Sequence, residues 1–239
     1  MTKQFLVFQH MPWEGPGQHL IRSAKERKVR LEIVEVWHEP IPDIRSYDGL
    51  IVLGGSPNVD QENEYPYLKS EKEAIRRVLD EDKPCLGFCL GHQLLAEALG
   101  AKIGPNFCRS VGFVQGHLTK HGRKHPLFSG MPGSFPLFKW HAQAVLPPLP
   151  KQIEGLVTSA QCQVEGISVV GRPHIVGLQF DNHAATISDV RDWVEGDEKW
   201  LSQPPSVDMT ALVKLAEKQE AFMGEQFELM FSNYIKSIS

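Results

Sequence analysis

The sequence predicts an α/β protein in which a mostly parallel sheet is covered by helices on both faces. Short apolar segments alternate with helix-forming segments through the first hundred residues. Several apolar segments lack the polar alternation of a half-exposed strand, which is typical of strands buried on both faces. The strand–helix–strand order favours parallel pairing, because each helix carries the chain back to the same edge of the sheet. These observations together indicate a three-layer arrangement.

Each element of this first half has its own local signature. We predict strands at 5–10, 31–36, 49–55 and 84–89, and helices at 17–28, 65–82 and 91–100. The apolar face of the second helix follows helical spacing and consists of Leu68, Ala74, Ile75, Val78 and Leu79. Gly100 follows the third helix as a C-terminal stop signal.

From residue 104 onwards, short strands separated by turn residues replace this alternation. We predict these strands at 113–120, 155–160, 166–171 and 174–180. They indicate a small antiparallel extension whose last strand returns to the main sheet, followed by a helix at about 186–196. We therefore predict one domain over 1–200, with 201–239 forming a linker and a C-terminal helix that packs on the same domain.

The composition is that of an ordinary globular chain and argues against several classes of function. The 239 residues are 41% apolar and 23% charged, with a net charge of -4 and an isoelectric point near 6.2. Such a chain is not drawn to nucleic acid or to anionic membranes, and no segment approaches the ~20 apolar residues that span a bilayer. The first residues read as a strand and not as a signal peptide. The cysteines fit free thiols in a reducing compartment, so we expect a cytoplasmic protein; they are Cys85, Cys89, Cys108 and Cys162.

The segment GFCLGHQ, residues 87–93, places a cysteine between two glycines where a strand meets a helix. Small residues are needed on both sides of such a sharp turn, because the backbones approach closely there. This is the cysteine form of the nucleophile elbow. It would present Cys89 at the carboxyl edge of the sheet and at a helix N-terminus, which favours a lowered thiol pKa. The alternative is a small buried side chain, as Cys85 is expected to be; a zinc site at these two cysteines lacks further ligands at the right spacing.

The same segment resembles the G-x-C-x-G-x-Q signature of class I, or triad-type, glutamine amidotransferases. Four further segments resemble segments of that family, and they occur in the same order along the chain: 49–59, 110–119, 125–141 and 174–180. The resemblance covers about residues 5–196 and is closest to the stand-alone, GMP-synthase-like branch. We accordingly expect a flavodoxin-like three-layer α/β/α fold with a mostly parallel mixed central sheet, a small antiparallel extension and a C-terminal helix.

The resemblance implies a role for each matching residue. Cys89 would attack the side-chain amide carbon of glutamine, forming a γ-glutamyl thioester and releasing ammonia. The backbone N–H groups of Gly55 and Leu90 would hold the oxyanion. The residues implied in substrate binding are Gly54, Ser56, Gln93 and His141. No metal ion and no organic cofactor is implied.

The chain departs from the family pattern at the end of the last predicted strand. Relatives continue with His-Pro-Glu, whereas this chain reads Asp181-Asn182-His183; Gln143 likewise stands where relatives often carry aspartate. In one interpretation His183 is the base and Asp181 orients it, because alternate residues of an extended segment point to the same side. In a second, the site is degenerate and binds a ligand or nothing. In a third, another histidine such as His141, or a different reaction, replaces the usual pair.

Three functions remain open from the sequence. The first is a glutaminase that passes ammonia to a partner synthase, which would carry any ATP-dependent step because this chain has no phosphate-binding loop of the G-x-x-x-x-G-K-[ST] type. The second is a cysteine hydrolase of γ-glutamyl amides or peptides, which needs no partner. The third is a non-catalytic binding or regulatory protein. The first two predict a small-molecule substrate.

Overall fold

A nine-stranded mixed sheet forms the centre of the computed structural model, which describes residues 2–238. Its strands are β1 (Lys3–Gln9), β2 (Val29–Glu35), β3 (Gly49–Val52), β4 (Cys85–Phe88), β5 (Lys102–Leu118), β6 (Ser134–Leu146), β7 (Ile153–Ser159), β8 (Gly166–Val169) and β9 (Arg172–Leu178). The helices are α1 (Gln18–Glu26), α2 (Tyr67–Asp80), α3 (Leu90–Ala98), α4 (Ile187–Gly196), α5 (Glu198–Leu201) and α6 (Met209–Ser237). The fold is therefore mixed α/β, as the sequence predicts.

The spatial order of the strands is β2-β1-β3-β4-β9-β8-β7-β5-β6. The first five strands in this order pair in parallel, and the remaining pairs are antiparallel. Val52 of β3 pairs with Gly87 of β4, which in turn pairs with Gly177 of β9. The carboxyl ends of these three strands consequently meet at one edge, where open α/β sheets bind ligands.

Helices cover both faces of the parallel part of the sheet. On one face, α2 and α3 pack on alternate residues of the strands, such as Leu6, Leu50 and Cys85. On the opposite face, α1 and α6 pack on the intervening residues, such as Phe5 and Ile51. The period-two alternation of strand side chains thus divides the core into two apolar layers.

The C-terminal helix contributes directly to this core. Phe227, Phe231 and Tyr234 of α6 are buried in the same cluster as the strands, and Leu212 and Met223 pack beside α4 in a second cluster. The packing agrees with the predicted helix, while the division into 1–200 and 201–239 stays a prediction. No helix among the described residues is long and apolar enough to cross a membrane.

The structure corrects the sequence prediction in the antiparallel part. The predicted strand at 113–120 is only the second half of β5, which begins at Lys102 and is interrupted by an irregularity between Pro105 and Ser110. The sequence analysis assigns no strand to β6, whose run contains Pro136 and Lys139. It also misses the single-turn helix α5. Irregular pairing and polar residues inside a buried strand conceal the periodicity on which such predictions depend.

Candidate active site

Cys89 lies at a sharp turn between β4 and α3. Its φ of 45° and ψ of -104° place a non-glycine residue in a strained region of backbone conformation. A Cβ on Gly87 would lie 2.5 Å from the carbonyl oxygen of Gly91, and a Cβ on Gly91 would lie 2.1 Å from the carbonyl oxygen of Val52. The glycines on both sides of Cys89 are therefore required by close backbone contacts, which is the reason that the sequence analysis gives for them.

We expect Gly91→Ala to destabilise the protein by about 1–3 kcal/mol, because the added methyl group collides with the β3 backbone. Urea unfolding measures the change. Gly100→Ala is the matched control for glycine replacement, since a Cβ there meets no atom within 4 Å, although its φ of 84° adds some strain. Equal stability of the Gly91 variant and the wild type would contradict the close approach.

The thiol of Cys89 is almost enclosed, with 6% of the residue exposed. Its Sγ lies 3.7 Å from the carbonyl oxygen of Trp140, and the Leu90 backbone N–H also faces the sulfur. Burial raises the thiol pKa well above its ordinary value, and the carboxyl groups of Asp181 and Glu14 raise it further. The expectation of a lowered pKa is therefore wrong, because these effects outweigh the helix N-terminus and its N–H group.

The glycine-rich turn after β3 lies against this elbow. A Cβ on Gly55 would lie 2.6 Å from the Cβ of His10 and 3.3 Å from a methyl carbon of Leu90, so the predicted oxyanion residues Gly55 and Leu90 are neighbours. The Nδ1 of His10 lies 2.8 Å from the carbonyl oxygen of Gly54. Its Nε2 lies 2.8 Å from Oε1 of Glu71, and both side chains are fully buried. This buried pair holds the turn in place behind the cavity.

His10 is not among the site residues predicted from the sequence. Burial alone would lower the pKa of His10, but the charge of Glu71, its hydrogen bond and the Gly54 carbonyl outweigh burial and raise that pKa. A charged imidazole is thus favoured beside the Gly54 carbonyl. The position of His10 one residue after β1, at the carboxyl edge of the sheet, is the signal that could have indicated it.

A cavity of about 320 Å³ opens in front of Cys89. Gly55, Ser56, Gln93 and His141, all predicted from the sequence, line it together with Cys89. Further wall residues that the sequence analysis does not assign to the site are Glu14, Pro57, Asn58, Trp140, Asp197 and Trp200. The structure thus brings most of the predicted residues to one cavity of the size of a small-molecule site.

Gln93 and His141 are fixed by hydrogen bonds at the rear of this cavity. Gln93 is buried, and its Nε2 donates to the carbonyl oxygen of Gln143 at 3.0 Å and to Oε1 of Gln179 at 3.1 Å. The Nδ1 of His141 lies 2.7 Å from the same Gln143 carbonyl, while its Nε2 has no hydrogen-bond partner among the described residues. Burial and the positive charge of Lys139 hold the pKa of His141 well below its usual value, so the imidazole is neutral.

Asp181 lies near Gly54 and Cys89, whereas His183 lies against Pro16 and Phe88. Oδ1 of Asp181 and the Cβ of Cys89 lie 3.5 and 3.4 Å from the point that a Cβ on Gly54 would occupy. His183 lies on the 3-10 turn Asn182–Ala184; its Nδ1 contacts the Pro16 carbonyl oxygen at 2.8 Å, and its ring packs on Phe88 with 4.4 Å between ring centroids.

The two side chains face each other, with Nε2 of His183 3.6 Å from Oδ1 of Asp181. That separation is longer than a hydrogen bond. Burial raises the pKa of Asp181, while His183 and Lys139 oppose that effect. Of the two, Asp181 is the group whose charge affects the pKa of the thiol, and His183 forms no hydrogen bond with Cys89 among the described residues.

Glu14 is the second carboxyl group beside the Cys89 thiol. Its Oε2 lies 3.1 Å from the same point at Gly54, and only 4% of the residue is exposed. Burial raises its pKa well above the ordinary value, and the charges of Asp197 and Asp181 raise it further. Glu14 is a single glutamate in a Gly- and Pro-rich loop and belongs to no recognisable motif. Its position after β1 is therefore the only sequence signal that could have predicted its place in the site.

One group of buried side chains near the cavity has the composition of a metal site. Atoms of His141, Cys162 and Glu165 lie within 4.8 Å of one another. The ammonium of Lys139 already pairs with Oε2 of Glu165, and both side chains are fully buried. Because the Lys139 ammonium neutralises the Glu165 carboxylate, this carboxylate does not require a metal ion to balance its charge.

The family to which the chain belongs follows from its sequence as well as its fold. The profile of the family described as class-I glutamine amidotransferase matches residues 16–183, which is more than half of the chain and includes the elbow and the glycine turn. The chain therefore belongs to the class-I glutamine amidotransferase family, as the sequence motifs indicate.

Three relatives illustrate the range of this family. The chain is 33% identical over 168 residues to the glutamine amidotransferase-like protein YfeJ of Salmonella typhimurium, covering 68% of each chain. It is 29% identical to a glutamine-hydrolyzing GMP synthase subunit of Archaeoglobus fulgidus, covering 70% of this chain and 82% of that one. It is 33% identical over 135 residues to the GMP synthase of Thermomicrobium roseum, but this match spans only 23% of that longer protein.

Solved structures agree with the fold. A glutamine amidotransferase from Thermotoga maritima superposes with a TM-score of 0.87 at 22% identity, covering 98% of this chain and 99% of that one. A glutamine amidotransferase from Methylobacillus flagellatus gives a TM-score of 0.86 at 21% identity, with coverages of 99% and 95%. The similarity extends over nearly the whole chain, including α6.

Proposed function

We propose that this protein is a glutaminase that uses the Cys89 thiol to release ammonia from glutamine. The observation that carries the proposal is the elbow itself, which holds the sulfur at the wall of a small-molecule cavity beside the Gly55 turn. A strained backbone at a cavity is characteristic of a functional residue. Membership of an amidotransferase family supports the same chemistry.

The reaction begins with attack of the Cys89 sulfur on the amide carbon of glutamine. As the C–S bond forms, the thiol proton passes to the carboxylate of Asp181. The carbonyl oxygen becomes an oxyanion that accepts hydrogen bonds from the backbone N–H groups of Leu90 and Gly55. A preorganised donor of this kind contributes about 3–4 kcal/mol to the transition state.

Collapse of this intermediate breaks the C–N bond. Asp181 returns its proton to the departing nitrogen, which leaves as ammonia, and a γ-glutamyl thioester remains on Cys89. Water then attacks the thioester and transfers a proton to Asp181. The C–S bond breaks, glutamate leaves, and Asp181 restores the thiol proton. Burial raises the pKa of Asp181, so its carboxylate is a stronger base for these transfers than an ordinary aspartate.

In this proposal Asp181 occupies the role that the sequence analysis gives to His183. The charge of Asp181 reaches the thiol, whereas His183 is held by the Pro16 carbonyl and by packing on Phe88. His183 acts as a positioning residue that faces the Asp181 carboxylate. Asn182 also supports this segment, because its Oδ1 accepts the backbone N–H of Phe138 at 2.8 Å.

We further propose that the ammonia serves a separate synthase or ligase polypeptide. Several relatives are named as a subunit of a GMP synthase. Their names support a two-component arrangement, in which a second polypeptide carries the synthase. The acceptor of the ammonia is a property of that partner. Addition of the partner is therefore expected to increase ammonia release.

The first test is ammonia release from glutamine by the wild-type chain, alone and with candidate synthases. A glutamine-like chloroketone should stop this activity at one equivalent per chain and should add its mass to the peptide that contains Cys89. Faster turnover of γ-glutamyl peptides than of glutamine would replace the proposal with a γ-glutamyl hydrolase. Absence of both turnover and labelling would overturn the proposal and favour a non-catalytic binding protein.

We expect Asp181→Asn to lower kcat by about 10²–10⁴-fold, the usual contribution of a general acid–base group. The amide has nearly the same shape but cannot accept the thiol proton. We expect His183→Asn to have a smaller effect on kcat, because the imidazole acts through Asp181. Steady-state ammonia release, measured on variants whose thermal unfolding shows a folded state, gives both values. The reverse order of the two effects would identify His183 as the base.

A further inference from the structure

The carboxyl groups that line the cavity in front of Cys89 are not balanced by any lysine or arginine in its lining. These groups belong to Glu14 and Asp197. Only 4% of the Glu14 residue is exposed, and its carboxylate makes no hydrogen bond within residues 2–238. A buried carboxyl group without a partner is costly unless something binds it. The cavity is therefore lined by a largely buried acidic group that has no hydrogen-bond partner among the described residues.

Asp197 is the second acidic residue that lines this cavity, and hydrogen bonding holds its side chain in place. The indole Nε1 of Trp140 donates to its Oδ2 at 2.7 Å. Asp197 lies at the junction of α4 and α5, so its backbone is fixed by both helices. Burial raises the pKa of Asp197, and the indoles of Trp140 and Trp13 oppose that effect. The proximity of Asp197 is in turn among the causes that raise the pKa of Glu14.

We propose that Glu14 and Asp197 form a subsite for a positively charged amine of the substrate. The proposal rests on the proposed amide hydrolysis and specifies which substrates it accepts: short aliphatic amides that carry an ammonium group at the far end. An ammonium ion offers three donors, which is enough to satisfy both carboxylates. A substrate carboxylate, by contrast, meets no lysine or arginine in this cavity, and the pKa of His141, which lines it, is held well below the usual value.

The same binding event would change the electrostatics at the sulfur. Glu14 is one of the two carboxyl groups whose charge disfavours the Cys89 thiolate. A bound ammonium compensates that charge, so the nucleophile becomes easier to ionise only when an amine-bearing substrate is present. Recognition and activation are then coupled through Glu14. This coupling explains how a thiol with a raised pKa can belong to a functional site.

Two matched ligands test the subsite without relying on turnover. 4-Aminobutyramide has the amide, chain and ammonium of glutamine without its carboxylate, and butyramide has the same chain without the ammonium. We expect Cys89→Ala protein to bind 4-aminobutyramide about 10- to 100-fold more tightly than butyramide, the difference expected for hydrogen bonds to charged groups. Calorimetry or the fluorescence of the cavity residues Trp140 and Trp200 gives the Kd values. Equal affinities would overturn the proposal.

Two variants locate the effect. In Glu14→Gln and Asp197→Asn proteins that also carry Cys89→Ala, the preference for the ammonium ligand should fall by about tenfold or more. Butyramide binding should change little, which also confirms that the variant cavity is folded. An unchanged preference in both variants would place the ammonium elsewhere and contradict the proposal.

A kinetic comparison separates this inference from the proposed function. The active chain should hydrolyse 4-aminobutyramide with a higher kcat/KM than glutaramate, which keeps the carboxylate of glutamine and lacks its ammonium, by about 10-fold or more. Hydrolysis of both at equal rates would overturn the subsite while supporting the glutaminase chemistry. Binding selectivity without hydrolysis of any amide would support the subsite and contradict the glutaminase.

Discussion

Replacing Cys89 by alanine is expected to reduce ammonia release from glutamine by at least about 10⁴-fold, because removal of an attacking nucleophile eliminates the covalent route. The fold should survive the change. The side chain is small, and Gly87 and Gly91, which permit the close backbone contacts of this turn, remain. Ammonia release and γ-glutamyl thioester trapping, both measured on protein with a wild-type unfolding curve, check the result.

Cys85→Ala provides the matched control for this variant. Cys85 lies four residues earlier in the chain, at the start of β4, and is fully buried among the apolar residues between the sheet and helices α2 and α3. Burial raises its thiol pKa to about 12, and Cys85, unlike Cys89, is not among the residues that line the cavity, so it cannot reach a substrate there. The control should lose about 1 kcal/mol of stability to a small cavity and keep its activity. Equal activity of the Cys89 variant and this control would contradict the nucleophile assignment.

The parts of this site that the sequence predicts are those fixed by local backbone geometry. The elbow requires glycines at 87 and 91 because two backbone carbonyls approach them, and such a requirement leaves a short sequence pattern. The parallel strands are similarly visible, because burial on both faces makes them continuously apolar. The strand β6 is not predicted from the sequence, because it contains the buried polar residue Lys139. The partner that allows this burial, Glu165, lies in a different segment of the chain.

The electrostatics of the site cannot be read from the sequence, since they depend on groups from separate segments. The thiol pKa is raised by burial, by Asp181 beyond β9 and by Glu14 beyond β1, none of which the elbow motif contains. Likewise, the motif departure at 181–183 shows that the usual pair is altered but not which side chain lies nearer the sulfur. Only the fold brings these carboxyl groups to one edge.

Breaking the buried ion pair between Lys139 and Glu165 is the substitution expected to affect stability most. Lys139→Met would leave the Glu165 carboxylate in a fully buried position, where the Ser159 hydroxyl, 2.6 Å from its Oε1, would be its remaining side-chain hydrogen-bond donor within residues 2–238. Loss of one partner of a buried pair typically costs about 3–5 kcal/mol. The free energy of unfolding in urea measures this cost. A loss below about 1 kcal/mol would show that water reaches the carboxylate.

The double variant Lys139→Met/Glu165→Leu distinguishes stability from activity. Removal of both charges takes away the uncompensated carboxylate, so most of the lost stability should return. Activity should not return with it, because the Lys139 ammonium opposes the effect of burial on the pKa of the Cys89 thiol. Without that charge the thiol becomes harder to ionise, and we expect the pH profile of kcat/KM to move to higher pH. A stable double variant with a wild-type profile would limit the ion pair to a structural role, whereas the expected shift would make Lys139 the cation that supports ionisation at the nucleophile.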